Sequence, residues 1–74
     1  MARALHLWKG GDPALAAATI ARQAAAGDTV TLVLLHGASA PPLPPGTRVH
    51  RVPDDLTYEQ LLEAIFDADS VITW

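Results

Sequence analysis

Cysteine is absent from this chain of 74 residues, and basic residues, aromatic residues and long apolar runs are few. Without thiols the chain can form neither a disulfide nor a thiolate zinc site, the usual supports of very small domains. A domain of this size removes only about 60% of its unfolded surface from water. We expect a single domain over residues 1–74, whose α/β class follows from the elements predicted below. Because half of the residues are hydrophobic, we also expect its apolar surface to be covered by self-association or by a partner chain.

Positive charge is also scarce, and this limits the ligands and the location. Five Lys and Arg residues stand against eight Asp and Glu residues, and the five are scattered along the chain. Since phosphate neutralisation needs several converging cations, we expect no direct binding of nucleic acid. The longest apolar run, VTLVLL, is far too short to span a bilayer, and the first residues lack the pattern of a secretory signal. A cytoplasmic protein without a membrane partner is therefore expected.

The first half of the chain predicts a strand, a helix and a second strand. RALHLW (residues 3 to 8) is a short apolar run that ends at a pair of glycines. Asp12 is suited to cap a helix and Pro13 to open it, and the alanine-rich stretch up to residue 26 is followed by Gly27, which favours a helix end. The run from Val30 to Leu35 consists of β-branched residues and leucine without alternation, which is typical of a strand buried on both faces.

The second half predicts an edge strand, an amphipathic helix and a last strand. TRVHRV (residues 47 to 52) would place Val49 and Arg51 on one face and Arg48, His50 and Val52 on the other, so that both faces carry charge, which suits an edge. Thr57 and Gln60 fit a capping box, and the apolar residues after them recur at helical spacing. The closing residues, SVITW, are typical of a strand.

The connection HGASAPPLPPG (residues 36 to 46) decides between two topologies. It is too long for a tight hairpin and carries four prolines, which can extend by about 3 Å per residue in polyproline form. We therefore interpret it as a strap that crosses the sheet and makes the second and third strands parallel. The predicted fold is a small, mainly parallel four-stranded sheet with helices packed on it. The alternative is a ferredoxin-like α+β fold, in which those two strands are antiparallel.

A candidate ligand site lies where the first strand turns into the first helix. Ligands of open parallel sheets settle beyond the carboxyl ends of the strands, where the strand order reverses. Trp8, Lys9, Gly10 and Gly11 are the residues predicted at that turn, with Trp74 beside them. Trp74 is also a candidate anchor at an interface with other chains, since tryptophan often has that role.

The connection between the second and third strands supplies two further interface candidates, His36 and Ser39, and no catalytic one. GASAP resembles a nucleophile elbow, but its prolines forbid the required helix and its last glycine is missing. The three histidines, His6, His36 and His50, fall in different predicted strands without an accompanying carboxylate motif. We therefore expect no catalytic residue, no metal and no cofactor.

Three stretches of the chain resemble the DsrH/TusB-like subunits of the bacterial sulfur relay, within the DsrE-like superfamily. They are LHLWKG at the start, GDTVTLVLLHGA in the middle, and YEQLLEAIFDADSVITW at the end, a helix, a short polar turn and a last strand closing on tryptophan. Members of that family are usually longer and have a helix where this chain has the proline connection. His36-Gly37 also stands where the family has Gln-Asp-Gly.

The resemblance implies a DsrE-like fold and assembly with DsrE/DsrF-like (TusD/TusC-like) subunits or with further copies of the chain. It further implies a part in sulfur transfer toward thiolation of the tRNA wobble uridine, or in sulfur oxidation. A persulfide carrier needs a cysteine thiolate. The expected function is therefore that of a non-catalytic subunit, and the alternative is a small cytoplasmic ligand-binding or regulatory module.

Overall fold

A computed structural model describes residues 2–74 as a parallel sheet with one helix on each face. The elements, in chain order, are β1 (Arg3–Trp8), α1 (Pro13–Ala25), β2 (Thr29–Leu34), β3 (Arg48–Arg51), α2 (Tyr58–Asp67) and β4 (Ser70–Thr73). All six elements were predicted from the sequence, and each predicted end of α1 and of the four strands lies within one residue of the observed end. No helix formed by residues 2–74 is long and apolar enough to cross a bilayer.

The strands lie in the order β3-β2-β1-β4, and every neighbouring pair is parallel. Arg48 of β3 is level with Thr31 of β2, and Ser70 of β4 is level with Ala4 of β1. The parallel pairing of β2 with β3 confirms the predicted topology and excludes the ferredoxin-like alternative. It also confirms the interior position of β2 and the edge position of β3.

Local signals at both ends of α1 act as predicted. The Asp12 carboxylate accepts hydrogen bonds from the backbone N–H groups of Ala14 and Leu15, at 3.0 and 3.2 Å. The helix ends at Ala25, one residue earlier than expected, and Gly27 follows with φ of +89°. Ile20 is buried against the sheet together with Ala16. Capping and a short apolar stripe therefore place α1 on one face of β1 and β2.

The proline strap, residues 36–46, crosses the sheet on the same face as α1. Pro41 is buried, and Ala38 and Leu43 pack against the core beneath α1. The Thr47 hydroxyl donates a hydrogen bond to the Pro44 carbonyl at 2.9 Å and closes the strap. An extended segment thus covers this part of the sheet where a longer α/β protein would place a second helix.

Helix α2 covers the opposite face of the sheet. Its capping box is formed: the Thr57 hydroxyl accepts from the Gln60 N–H, and the Gln60 side chain accepts from the Thr57 N–H. Leu61 is the buried residue of the helix and packs into the core with Leu5 and Val33. Because successive residues of a strand face opposite sides, β1 and β2 contribute to both cores.

Candidate functional site

The carboxyl ends of β1 and β4 form the place where the strand order reverses. The chain leaves β1 through α1 to reach β2 on one side, whereas β4 arrives on the other side through α2. Trp8 ends β1 and Trp74 follows β4, and their ring centroids are 5.9 Å apart with planes tilted by 59°. The two tryptophans therefore meet at the edge where the candidate ligand site was expected.

His6 lies fully buried behind the tryptophans and holds Trp74 in place. The indole Nε1–H of Trp74 donates to His6 Nδ1 at 2.9 Å, and the two rings are stacked with centroids 6.0 Å apart. His6 Nε2 lies 2.6 Å from the Gln23 side-chain oxygen of α1. Since Nδ1 accepts a hydrogen bond, the ring carries its proton on Nε2 and donates it to Gln23. Both nitrogens of this buried imidazole are therefore used within the fold.

Trp8 is also fully engaged. Its side chain is buried in the core beneath α1, and its Nε1–H donates to the Ser39 carbonyl at 2.9 Å. This bond ties the proline strap to β1. Ser39 contributes its backbone carbonyl to this bond. The indole N–H groups of Trp8 and Trp74 are thus both bonded to groups of the same chain.

The glycine turn between β1 and α1 is exposed and adjoins the tryptophans. Gly10 has φ of +121°, a conformation that favours glycine. A Cβ at Gly11 would lie in ordinary contact with Trp8 and Trp74, at 3.7 and 3.9 Å. The first N–H groups of α1, which attract anions in other proteins, are bonded here to the Asp12 carboxylate. A negative charge at this position disfavours phosphate.

The predicted site residues thus gather at one end of the sheet. Trp8, Lys9, Gly10 and Gly11 lie at its carboxyl edge, and Ser39 is bonded to Trp8. His36 is exposed just after β2 and takes the left-handed conformation with φ of +54°. The structure brings Trp74 to this edge as well, half-buried against His6.

Two clefts lie at the other end of the sheet. One, of about 460 Å³, is lined by the amino ends of the strands and the last turn of α2, with Arg3, Arg48 and Asp67 at its rim. The second, of about 350 Å³, lies between the strap and the start of β2. The predicted ligand residues Trp8, Lys9, Gly10 and Gly11 line neither cleft. Within residues 2–74 no cluster of His, Asp and Glu side chains is arranged to hold a metal ion.

An exposed apolar surface on α2 is the feature that sequence reasoning missed. Tyr58, Leu62 and Phe66 recur every four residues, and we call them the α2 shoulder. Phe66 is 85% exposed and Leu62 is 55% exposed. Helical spacing correctly predicted an apolar face, but the sheet covers only the part of it that contains Leu61 and Ile65. The sequence signal for this exposed surface was the width of the apolar face of α2, which is greater than contact with one sheet requires.

The α2 shoulder lies beside a concentration of negative charge. Glu59, Glu63 and Asp67 follow each shoulder residue by one position and are exposed. Residues 54–74 hold six of the eight acidic residues of the chain and none of its five basic residues. The exposed side of α2 is therefore both apolar and acidic.

Comparison of the chain with protein-family models, with curated proteins and with solved structures found no match. The function of the chain must therefore be inferred from its own residues and their arrangement.

Proposed function

We propose that this chain is a non-catalytic subunit that acts in the cytoplasm by binding other protein chains. The observation that carries the proposal is the α2 shoulder. Fully burying a large apolar side chain is worth about 1.5–3 kcal/mol, and this free energy is not gained by Phe66, which is 85% exposed. Contiguous apolar surface left in water is typical of an interaction site. A partner that covers the shoulder would gain this stabilisation.

The polar groups at the carboxyl edge favour a structural role over a chemical one. The imidazole of His6 is bonded on both nitrogens, and the Trp8 and Trp74 indoles donate to partners within the chain. Asp12 is engaged by the N–H groups of α1. General acid–base catalysis needs a side chain that can reach a substrate proton. His6 and the two tryptophans instead hold β1, β4, α1 and the strap together, and Asp12 caps α1.

The complex that we propose is a sulfur relay of the DsrH/TusB-like kind. The support is the resemblance of the closing segment, which forms α2 and β4 and ends on Trp74 against the core. With no cysteine in the chain, the thiolate that carries sulfur must belong to a partner. DsrE/DsrF-like subunits are the proposed partners, and sulfur transfer toward tRNA wobble-uridine thiolation, or sulfur oxidation, is the proposed pathway.

Two leucines of equal exposure allow a controlled test of the interaction. Leu62 on the α2 shoulder is 55% exposed and Leu15 on α1 is 56% exposed. The chain would be co-expressed with DsrE-like and DsrF-like subunits of the same host, and the complex measured by size-exclusion chromatography and calorimetry. We expect Leu62→Asp to weaken binding by a factor of about 10 to 100 and Leu15→Asp to leave it unchanged.

The possible outcomes separate the two parts of the proposal. Equal binding by wild type and Leu62→Asp would refute the α2 shoulder as the interaction surface. Failure of every DsrE-like and DsrF-like subunit to bind the wild-type chain would refute its place in a sulfur relay. Far-UV circular dichroism of both variants establishes that they are folded.

A small ligand-binding module is the second candidate, favoured by the position of the glycine turn. Gly10 and Gly11 lie beyond the carboxyl ends of β1 and β4, where open parallel sheets bind ligands. A thermal-shift screen with inorganic phosphate and nucleotides tests this candidate. A rise in Tm that is lost in Lys9→Ala would support it, and an unchanged Tm with every compound would refute it.

A further inference from the structure

The two free edges of the sheet differ in their chemistry. β3, at one edge, reads RVHR and carries two arginines. Charged side chains on an edge strand discourage pairing with another chain. β4, at the other edge, reads SVIT, with neither charge nor proline. The edge of β4 is therefore the one that remains open to another strand.

The backbone of β4 presents hydrogen-bonding groups to that open edge. The Trp74 N–H donates to the Leu7 carbonyl of β1 at 2.9 Å. Because alternate residues of a strand point the same way, the Ile72 N–H is also directed at β1. The N–H groups of Val71 and Thr73 are consequently directed away from β1, toward the free edge.

At the edge of β3, one of the outward-facing backbone N–H groups is bonded within the chain. The Val52 N–H donates to the Leu34 carbonyl of β2 at 3.0 Å, so by the same alternation Val49 and Arg51 direct their N–H groups outward. The Arg51 N–H is bonded to the Asp55 carboxylate at 2.9 Å. The Asp55 side chain, in the loop after β3, thus occupies a backbone N–H group with which an added strand would have to pair.

The α2 shoulder lies on the side of the helix that faces β4. The other flank of α2, with Ala64 and Asp67, lines a cleft together with Thr31 of β2 and Arg48 of β3. Tyr58, Leu62 and Phe66 lie on the opposite flank by helical spacing and so lean toward β4. Val71 of β4 is level with Leu5, whose side chain packs under α2, and is itself 40% exposed. The open edge and the shoulder therefore form one continuous surface.

Charge selects the kind of partner for this surface. Glu59 and Glu63 each follow a shoulder residue on α2, Asp69 precedes β4, and neither α2 nor β4 contains a lysine or arginine. Two copies of the chain joined through β4 around a two-fold axis would bring like-charged helices together, which is unfavourable. A strand flanked by lysine or arginine meets the same surface with opposite charge. Complementarity thus favours a cationic partner over a second copy.

We infer that the free edge of β4 and the α2 shoulder together bind a β-strand of a partner protein, extending the sheet, and that this strand is flanked by lysine or arginine. Main-chain hydrogen bonds to Val71 and Thr73 provide the pairing, and an apolar side chain of the partner packs on Leu62 and Phe66. The inference rests on the proposed function, because it names the chemistry of the partner that a non-catalytic subunit binds.

Two synthetic peptides test the charge requirement. Both contain the same alternating valine and threonine core, and one has lysines at both ends while the other has glutamates. Fluorescence anisotropy with the full chain measures their affinities. We expect the lysine peptide to bind about ten times more tightly or better, and to lose affinity as salt is added. Equal affinities for the two peptides would overturn the inference.

Matched substitutions at the two edges test the site. Val71 and Val49 are 40% and 38% exposed, and each directs its N–H outward, so proline at either position removes an edge donor and leaves the pairing inside the sheet. Val71→Pro is expected to abolish binding of the lysine peptide and Val49→Pro to preserve it. Val71→Lys and Val49→Lys repeat the comparison without proline, and a two-dimensional NMR amide spectrum monitors folding. Unchanged binding by both Val71 variants would overturn the inference.

Two further results distinguish this inference from the proposed function. A stable dimer of the chain alone that is lost in Val71→Pro would place a second copy on the edge and overturn the cationic partner. If Leu62→Asp releases the DsrE/DsrF-like subunits but Val71→Pro does not, the proposed function stands and strand pairing is refuted. If the lysine peptide binds at β4 and no such subunit binds, strand pairing stands and the sulfur relay is refuted.

Discussion

The hydrogen bond from Trp74 to His6 should contribute measurably to stability. Trp74→Phe keeps an aromatic ring in the stack but removes the donor that lies 2.9 Å from His6 Nδ1. Because His6 is 0% exposed, we expect its Nδ1 to be left as an unpaired buried acceptor. Such a loss costs about 1–3 kcal/mol, and in a domain of this size each kcal/mol lowers Tm by about 4–8 °C. We expect a fall in Tm of roughly 4–24 °C.

A double-mutant cycle isolates the pair. Thermal and urea unfolding of wild type, Trp74→Phe, His6→Leu and the double variant would be followed by far-UV circular dichroism. Because His6→Leu removes the acceptor that Trp74→Phe leaves unpaired, we expect the two changes to be coupled by about 0.5–3 kcal/mol. Trp8→Phe is the control for loss of the donor, since the Trp8 donor reaches the carbonyl of Ser39, an exposed residue to which water can donate instead. Additive effects, with no coupling, would refute the reasoning.

Thr57→Ala removes the capping box of α2 and should lower the free energy of unfolding by about 1 kcal/mol; an unchanged urea midpoint would contradict the role of the cap. Gly27→Ala places a Cβ in open space at φ of +89°, so strain alone should cost about 1–2 kcal/mol. Gly27→Asn, whose side chain is better tolerated at positive φ, should cost less in the same assay. Equal losses for the two substitutions would refute this explanation.

The elements whose signals lie within a few residues could be predicted from the sequence. Asp12, Pro13 and Gly27 mark the ends of α1, and Thr57 with Gln60 marks the start of α2. The course of the strap could also be predicted, because the stiffness of proline and the length of the connection constrain how the chain returns to the sheet. These signals together were sufficient to predict the parallel pairing of β2 and β3.

Contacts between distant residues could not be predicted in the same way. The His6–Trp74 bond and the Trp8–Ser39 bond join residues 68 and 31 positions apart, and no local pattern encodes their geometry. The α2 shoulder escaped prediction for a related reason. Helical periodicity marks which residues of α2 are apolar, but the position of the helix over the sheet decides which of them are covered. That position depends on the register of β3 and β4, which is a property of the whole fold.

The position of β4 has a consequence for the order in which the domain is built. β1 and β2 are neighbours joined by a single helix, whereas β4 docks on β1 only after nearly the whole intervening chain has been placed. Closing that large loop carries a greater entropic cost, so nucleation is favoured in the amino-terminal β-α-β unit. In the native state the four-residue β4 is then expected to detach before the remainder of the domain. Its amides would exchange with deuterium sooner than those of β2, and a strand added at its edge would slow that exchange.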